Sequence, residues 1–386
     1  MGHTSLNGSP DILIIGAGIV GAACAAECAR EGLNVLVLDR GPIGGGTTAA
    51  GMGHLVVMDD SEAQFALTHF SRTLWNKLSP ALPHAVEYDR CGTLWVAADE
   101  EEMNEVRRKQ KFYTERGVRV EVLDAAQLAK AEPNLRRDLR GGLVVPDDAV
   151  IYPPAAAFHL ISMATKARAE IRLGKGARSI ADSGEVTLDD NSRISAGIVV
   201  NAAGPWSPTL HPELPVRKRK GHLVITERYP GYVHHQIVEL GYLKSAHSAG
   251  TESVAFNIQP RKTGQMLIGS SRQFEVEGTE INQHILDRML KRAVEYLPNI
   301  GSLVATRCWA GHRAATPDKL PLIGPLPGNQ KIWLATGHEG LGITTSLGTA
   351  HLLVNAVLGR ETSIPSQPYL PARIVAPAKK EPCPSA

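Results

Sequence analysis

Three glycines decide most of what this chain can become: Gly16, Gly18 and Gly21 follow the short apolar run Asp11–Ile15 and open a helical stretch from Gly18 to Glu31. That stretch is small, apolar and alanine-rich, the composition of a helix pressed against a sheet, and Val35 to Leu38 is the next strand. Strand, glycine turn, helix and strand make a βαβ unit, hence a parallel sheet with a right-handed crossover. Gly16 permits a tight turn, Gly18 lets the backbone approach a pyrophosphate, and Gly21 lets the helix lie close to the sheet. The helix start, with Gly18, Ile19, Val20 and Gly21, sets phosphates against its positive end. Asp39, followed by Arg40, ends the second strand 18 residues after Gly21, where a carboxylate accepts hydrogen bonds from ribose hydroxyls.

Further along, Ser61–Leu78, Glu100–Arg116 and Ala155–Ala169 read as helices, the last opened by Pro153 and Pro154. Thr93–Ala97, Glu185–Leu188 and Ile198–Asn201 read as strands, and His222–Glu227, Val254–Gln259 and Gln265–Gly269 as successive antiparallel strands, the last two joined by a turn at Arg261–Gly264. Parallel patterns recur near residue 200 and after about 305, with antiparallel ones between them. The expected fold class is therefore mixed α/β (α+β): a Rossmann-like parallel-sheet domain of residues 10–88, 145–215 and 306–372, interleaved with an antiparallel-sheet substrate domain of 89–144 and 216–305. Residues 373–386, rich in Pro, Ala, Lys and Glu, read as a disordered tail.

A net charge of +2 gives no electrostatic reason to expect nucleic acid or an anionic membrane as partner. The longest apolar stretch, Leu341–Leu358, is interrupted by Thr344, Thr345, Ser346, Thr349, His351 and Asn355, so no membrane-spanning segment is expected. The reading places the chain in the cytoplasm, free or peripheral at the inner face of the membrane. Cys24, Cys28, Cys91, Cys308 and Cys383 form neither a CxxC pair nor a disulfide framework, and no metal site is expected. Arg107, Arg108, Lys109 and Lys111 are read as the solvated face of a charged helix.

The fingerprint alone does not separate FAD from NAD. Gly44, Gly45, Gly46, Thr47 and Thr48 follow Asp39 closely and offer amides and hydroxyls for a second pass along a pyrophosphate, where a nicotinamide enzyme would more often enter its next helix. Asn201 to Gly204 ends a strand in small residues, as where a sheet passes beneath a cofactor. Gly340, Leu341, Gly342, Ile343 and Thr344 form a second glycine-rich entry into a helix, suited to negative charge on a reduced flavin or, equally, to an ordinary loop.

Three segments together resemble the D-amino-acid oxidase family of FAD enzymes: Gly46-Thr47-Thr48-Ala49-Ala50-Gly51-Met52, Val200-Asn201-Ala202-Ala203-Gly204-Pro205-Trp206, and Trp309-Ala310-Gly311-His312-Arg313 through Gly324. The resemblance covers roughly residues 10 to 370. Lys220 to Glu227 and Gly337 to Ser346 narrow it to the branch of glycine oxidase, hydrogen cyanide synthase catalytic subunits, and proline and D-hydroxyproline dehydrogenases. It implies FAD held by the glycines above with Asp39, Arg40, Ala203, Gly204 and Trp206, and a substrate carboxylate gripped by Arg313. His54 reads either as a group facing substrate and flavin or as a hydrogen-bonded loop histidine. His338 reads as a residue of substrate choice. The implied reaction is hydride removal from the α-carbon of a small amino or imino acid. A D-amino acid such as D-hydroxyproline is preferred, with electrons passing to a partner subunit or the respiratory chain. A glycine- or sarcosine-type oxidase using O2 is the runner-up, and an NAD-binding dehydrogenase or nucleotide-binding regulator the reading of another class.

Overall fold

The computed structural model describes residues 9–241, 252–274 and 276–376. Two compact units form, Met1–Gly45 with Ala157–Arg217 and Ala314–Ala386, and Gly46–Ala156 with Lys218–Arg313.

In the first unit, Ile12–Ile15 pairs in parallel with Val35–Asp39 on one side and Ile198–Asn201 on the other. Glu170–Leu173 and Asn329–Thr336 extend the parallel array, and Leu322–Leu326 closes one edge antiparallel. The centre of this sheet reads as continuous apolar runs because both faces are covered. One face carries Leu13, Ile15, Leu36, Leu38 and Val199 against Ala177, Val186 and Leu188 of a small three-stranded antiparallel sheet. Helices Ile19–Arg30 and Gly342–Val357 pack on each other, and the first buries Ala22, Ala23, Cys24, Ala25 and Cys28. Side chains that small bring the helix close to its neighbours. Arg373 ion-pairs with Asp318 at 2.6 Å, and Val375 is buried in an apolar cluster with Leu322 and Leu326. The chain is therefore ordered at the start of the expected tail, because these two side chains have partners; the rest of that tail, with Cys383, lies outside the described residues.

The second unit is built on eight strands in the order Ala305–Ala315, Arg217–Thr226, Met266–Phe274, Glu252–Pro260, Gln236–Glu239, Thr93–Ala97, Gly141–Val145 and Glu121–Asp124. Alternation along one strand assigns its faces: Leu94 and Val96 join the cluster under helix Gln283–Tyr296, while Trp95 and Ala97 join the one containing Phe65 and Val106 of helices Glu62–Leu78 and Glu100–Glu115. Residues 46–88, 145–156 and 306–313, grouped above with the cofactor domain, cluster here. The cause is long-range packing: Phe65 joins the apolar cluster of Trp95, and His54–Leu55 pairs with Ala149–Val150, which follows Gly141–Val145 of the sheet.

Lys109 corrects one expectation. It is fully buried, pairs with Asp59 and lies over the Trp95 ring at 4.7 Å. The stripe of its helix formed by Met103, Val106 and Tyr113 includes position 109, so the charge faces inward and needs a counterion.

Candidate active site

In the first unit the glycine turn is built for close approach. Gly16 adopts φ +113°, and a Cβ there would stand 2.5 Å from the Ala202 carbonyl oxygen. A Cβ on Gly21 would fall 1.9 Å from the Gly16 carbonyl oxygen, so this crossing requires glycine at both positions. No side chain caps the helix at Gly18, and none caps the second helix at Leu341. Both helices begin in the bare-backbone manner that suits an anion. These features fit a dinucleotide, whose phosphates need a turn without side chains in the way.

Asp39 Oδ2 accepts the Ala17 N–H at 2.7 Å and Oδ1 the Gly41 N–H at 2.8 Å, tying the strand end to the glycine turn. Each oxygen has a second lone pair, so ribose recognition remains compatible with these bonds. Arg40 beside it is exposed. Asn201 Oδ1 accepts the Ala203 N–H at 3.2 Å, Thr336 donates to the Gly204 carbonyl at 3.0 Å, and Ser207 donates to Thr336 at 2.8 Å. This chain of bonds holds the turn at Ala203 and Gly204 next to Trp206, which is 39% exposed.

His338 is buried, with Nε2 2.9 Å from Thr349 Oγ1, and burial pushes its pKa down to about 3. Its ring thus reaches two turns into helix Gly342–Val357, which it precedes. This bond fixes the ring at the entry to the helix.

In the second unit, Gly46 precedes the short helix Thr47–Ala50. The Thr47 hydroxyl donates to the His312 carbonyl at 2.7 Å, Thr48 is buried, and Gly51 and Met52 lead to His54. The Thr47 hydroxyl is thus already engaged by the protein, which leaves backbone amides as this loop's contribution to a phosphate. His312 itself is buried, with Nε2 2.9 Å from the Val276 carbonyl oxygen. Burial, then the charge of Arg313, pushes His54 down to about 4, so this imidazole is neutral near pH 7.

Arg313, near the end of strand Ala305–Ala315, donates from Nη1 to the Ser271 carbonyl at 3.0 Å. Gly221 lies beneath it. A Cβ on Gly221 would stand 2.4 Å from Arg313 Nη1 and 2.8 Å from both Cζ and Nη2, so the guanidinium rests flat against bare backbone. Ser271 is in turn locked from its other side: its Oγ accepts the His222 N–H at 2.9 Å and lies 2.8 Å from His222 Nδ1. His222 Nε2 accepts the Asn282 N–H at 3.1 Å, which assigns the proton to Nδ1. Burial, then Lys220 and Arg313, pushes His222 down to about 4 and keeps it neutral. Loop residue Met52 forms an apolar cluster with Leu223, Leu267, Ile225 and Trp309 of these strands.

The residues brought together with Arg313 are thus His54, Gly221, Ser271 and His222. Gly221 and His222 fall inside the segment quoted above for its likeness, with His222 opening a strand already read there, and the available signal was a glycine at the edge of that strand pattern, which marks a close approach.

A family model described as FAD dependent oxidoreductase (DAO) matches residues 11–356. The hydrogen cyanide synthase subunit HcnC of Pseudomonas protegens is 27% identical over 97% of this chain and 99% of its own length. Glycine oxidase of Pseudomonas aeruginosa is 27% identical over 94% and 99%. Among solved structures, glycine oxidase from Geobacillus kaustophilus superposes with a TM-score of 0.86 at 25% identity, covering 95% of this chain and 100% of that one. L-proline dehydrogenase from P. horikoshii superposes with a TM-score of 0.86 at 22% identity, covering 95% and 98%, and adds support for the fold alone.

Proposed function

The chain belongs to the DAO family of FAD-dependent oxidoreductases and acts on amino acid C–N bonds, and from that premise we propose that it oxidises the α-carbon–nitrogen bond of a small amino or imino acid gripped through its carboxylate by Arg313. The observation that carries this reading is the guanidinium lying flat on Gly221 and anchored to Ser271, which aligns a planar fork of donors for a carboxylate. Bound FAD supplies the acceptor for the hydride leaving the α-carbon, while the nitrogen lone pair forms the C=N bond and the nitrogen gives up a proton to water.

The protein's own task is orientation. His54 and His222 stay neutral beside Arg313, so neither competes with it for the substrate's negative charge. Met52, Leu223 and Leu267 keep water away from the apolar side of a small substrate. Gly16, Gly18, Ile19, Val20, Gly21 and Asp39 hold the dinucleotide, with Gly340 to Thr344 at the second helix start.

A D-amino acid of the hydroxyproline type is the preferred substrate on the sequence resemblance given above, and passage of electrons to an acceptor protein is supported by likeness to a protein named as a subunit. Oxidation of glycine with O2 is the second reading, supported by the glycine oxidases at comparable identity. Mixing the yellow protein anaerobically with cis-4-hydroxy-D-proline, D-alanine, proline, sarcosine and glycine separates them by which one bleaches the flavin, and peroxide formed under air identifies the oxidase. Bleaching by none of them removes the proposal. Arg313→Ala is expected to raise KM strongly with FAD retained, and an unchanged KM removes the role of Arg313.

A further inference from the structure

Arg313 Nη1 donates to the Ser271 carbonyl at 3.0 Å, so whatever fixes Ser271 also fixes the guanidinium. A regular antiparallel ladder does not do so. Lys220 pairs with Gln273 and Val224 with Ile268, so four steps along strand Arg217–Thr226 face five along strand Met266–Phe274, and the register slips between those pairs. Such slips re-aim side chains at the expense of local ladder bonds. Inside this one, side-chain atoms join the strands. Ser271 Oγ accepts the His222 N–H at 2.9 Å in place of a backbone carbonyl, and His222 Nδ1 stands 2.8 Å from the same oxygen. Because Nε2 accepts the Asn282 N–H at 3.1 Å, Nδ1 carries the proton and is a second donor to Ser271 Oγ.

The imidazole works from behind the sheet. His222 and Val224 leave one face of their strand, and Val224 packs in the cluster of Leu286 and Met289 of helix Gln283–Tyr296. Gly221 and Leu223 leave the other face, where a Cβ on Gly221 would meet Arg313 and Leu223 packs with Met52. His222 is fully buried, and Asn282, whose N–H it accepts, caps that helix: the Asn282 Oδ1 accepts the Ile285 N–H at 3.2 Å. The ring is thus held by the start of a helix on one side and holds Ser271 on the other. Burial, then Lys220 on the same strand and Arg313, keeps the ring uncharged, as its lone pair toward Asn282 requires.

We propose that His222 is a positioning residue for the reaction: from the helix side of the sheet it clamps Ser271, so that the Ser271 carbonyl keeps the Arg313 guanidinium in place for the substrate's carboxylate. The assignment rests on the reading of Arg313 as the carboxylate grip. Since the clamp runs through Nδ1, a side chain with a polar group at that position replaces the imidazole, and one with its polar group only at the position of Nε2 does not.

Two amides of different reach separate this role from packing. His222→Asn places its amide where Nδ1 stands, and His222→Gln places it where Nε2 stands. Calorimetric titration of the FAD-loaded protein with isobutyrate, a small carboxylate with no nitrogen to oxidise, is expected to give an affinity within about twofold of wild type for His222→Asn and about tenfold weaker for His222→Gln, the worth of one hydrogen bond. Ser271→Ala keeps the carbonyl, removes the hydroxyl and should weaken isobutyrate by at least the same factor; where a histidine variant fails to fold, this change of one atom reads the same contact. Adding His222→Gln to Ser271→Ala should weaken binding no further, because both remove one bond. Additive losses in the double variant overturn the proposal. So does a loss in His222→Asn as large as in His222→Gln, or unchanged isobutyrate affinity in His222→Gln and Ser271→Ala, either of which makes His222 a packing residue. Failure of the underlying reading looks different: isobutyrate that does not bind the wild type, or binds indifferently to Arg313→Ala, refutes the carboxylate grip itself.

Discussion

Gly221→Ala isolates the support of Arg313 from the rest of the fold. The new methyl would arrive 2.4 Å from Nη1 and 2.8 Å from Cζ and Nη2, and ordinary contact needs about 3.5 Å, so the guanidinium must retreat by about 1 Å. That retreat stretches the 3.0 Å bond from Nη1 to the Ser271 carbonyl beyond hydrogen-bond range. Losing a hydrogen bond from a charged donor costs about 1.5–3 kcal/mol. A misplacement of about 1 Å in a substrate-positioning group costs roughly 100-fold in rate, or about 2.7 kcal/mol. The backbone at 221 lies outside the left-handed region, so alanine is not strained there. Glycine inside a strand is itself about 0.5–1 kcal/mol less stable than alanine. The variant should therefore keep its FAD, melt a few degrees below the wild type, and lose about 100-fold in kcat/KM with most of the loss in KM. Anaerobic stopped-flow bleaching of the flavin across a range of substrate concentrations separates limiting rate from half-saturation. An unchanged half-saturation, or a loss of FAD and melting temperature together, would refute the reasoning.

Gly21→Ala places a methyl 1.9 Å from the Gly16 carbonyl and should yield protein with little bound FAD, read as the 450 to 280 nm absorbance ratio; a fully yellow variant contradicts the cradle. Lys109→Met leaves the buried Asp59 carboxylate with Arg108 and Tyr113 as its partners and should cost about 1.5–3 kcal/mol in urea denaturation, a loss under about 1 kcal/mol showing that the pair is not a brace. His222 and His338 have folded pKa values depressed to about 4 and about 3 against about 6.5 unfolded, so the unfolded chain binds more protons between those limits. Stability is therefore full above about pH 6.5 and falls with decreasing pH, each histidine contributing roughly 1.4 kcal/mol per pH unit until its folded value is passed. An equal loss of unfolding free energy from pH 7 to pH 5 in His222→Gln and wild type would exclude His222 from this loss.

The local elements were legible because local physics makes them. Thr93–Ala97 is a strand over the expected residues, and the βαβ unit follows from three glycines and an alanine-rich run. Helix Gln283–Tyr296 was equally available, since Ile285, Leu286, Met289, Ala293 and Tyr296 recur at helical spacing, yet the reading omits it. Grouping those elements into units is another matter. His54–Leu55 joins the second unit by pairing with residues almost a hundred positions later, and no periodicity near His54 encodes that partner.

The site shows the same division at the level of single side chains. Arg313 was legible because its motif carries it, whereas the meaning of Gly221 depends on what the chain lays over it 92 residues further on. His54 and His338 look alike in sequence, each a histidine beside a glycine-rich loop. The structure separates them by partner: His338 bonds to Thr349 eleven residues away, within reach of a helix-spacing argument, while His54 feels the charge of Arg313 from a distant strand. Chemistry at this site therefore follows from which side chains the fold lays over one another, and that arrangement is set by strand pairing across the sheet.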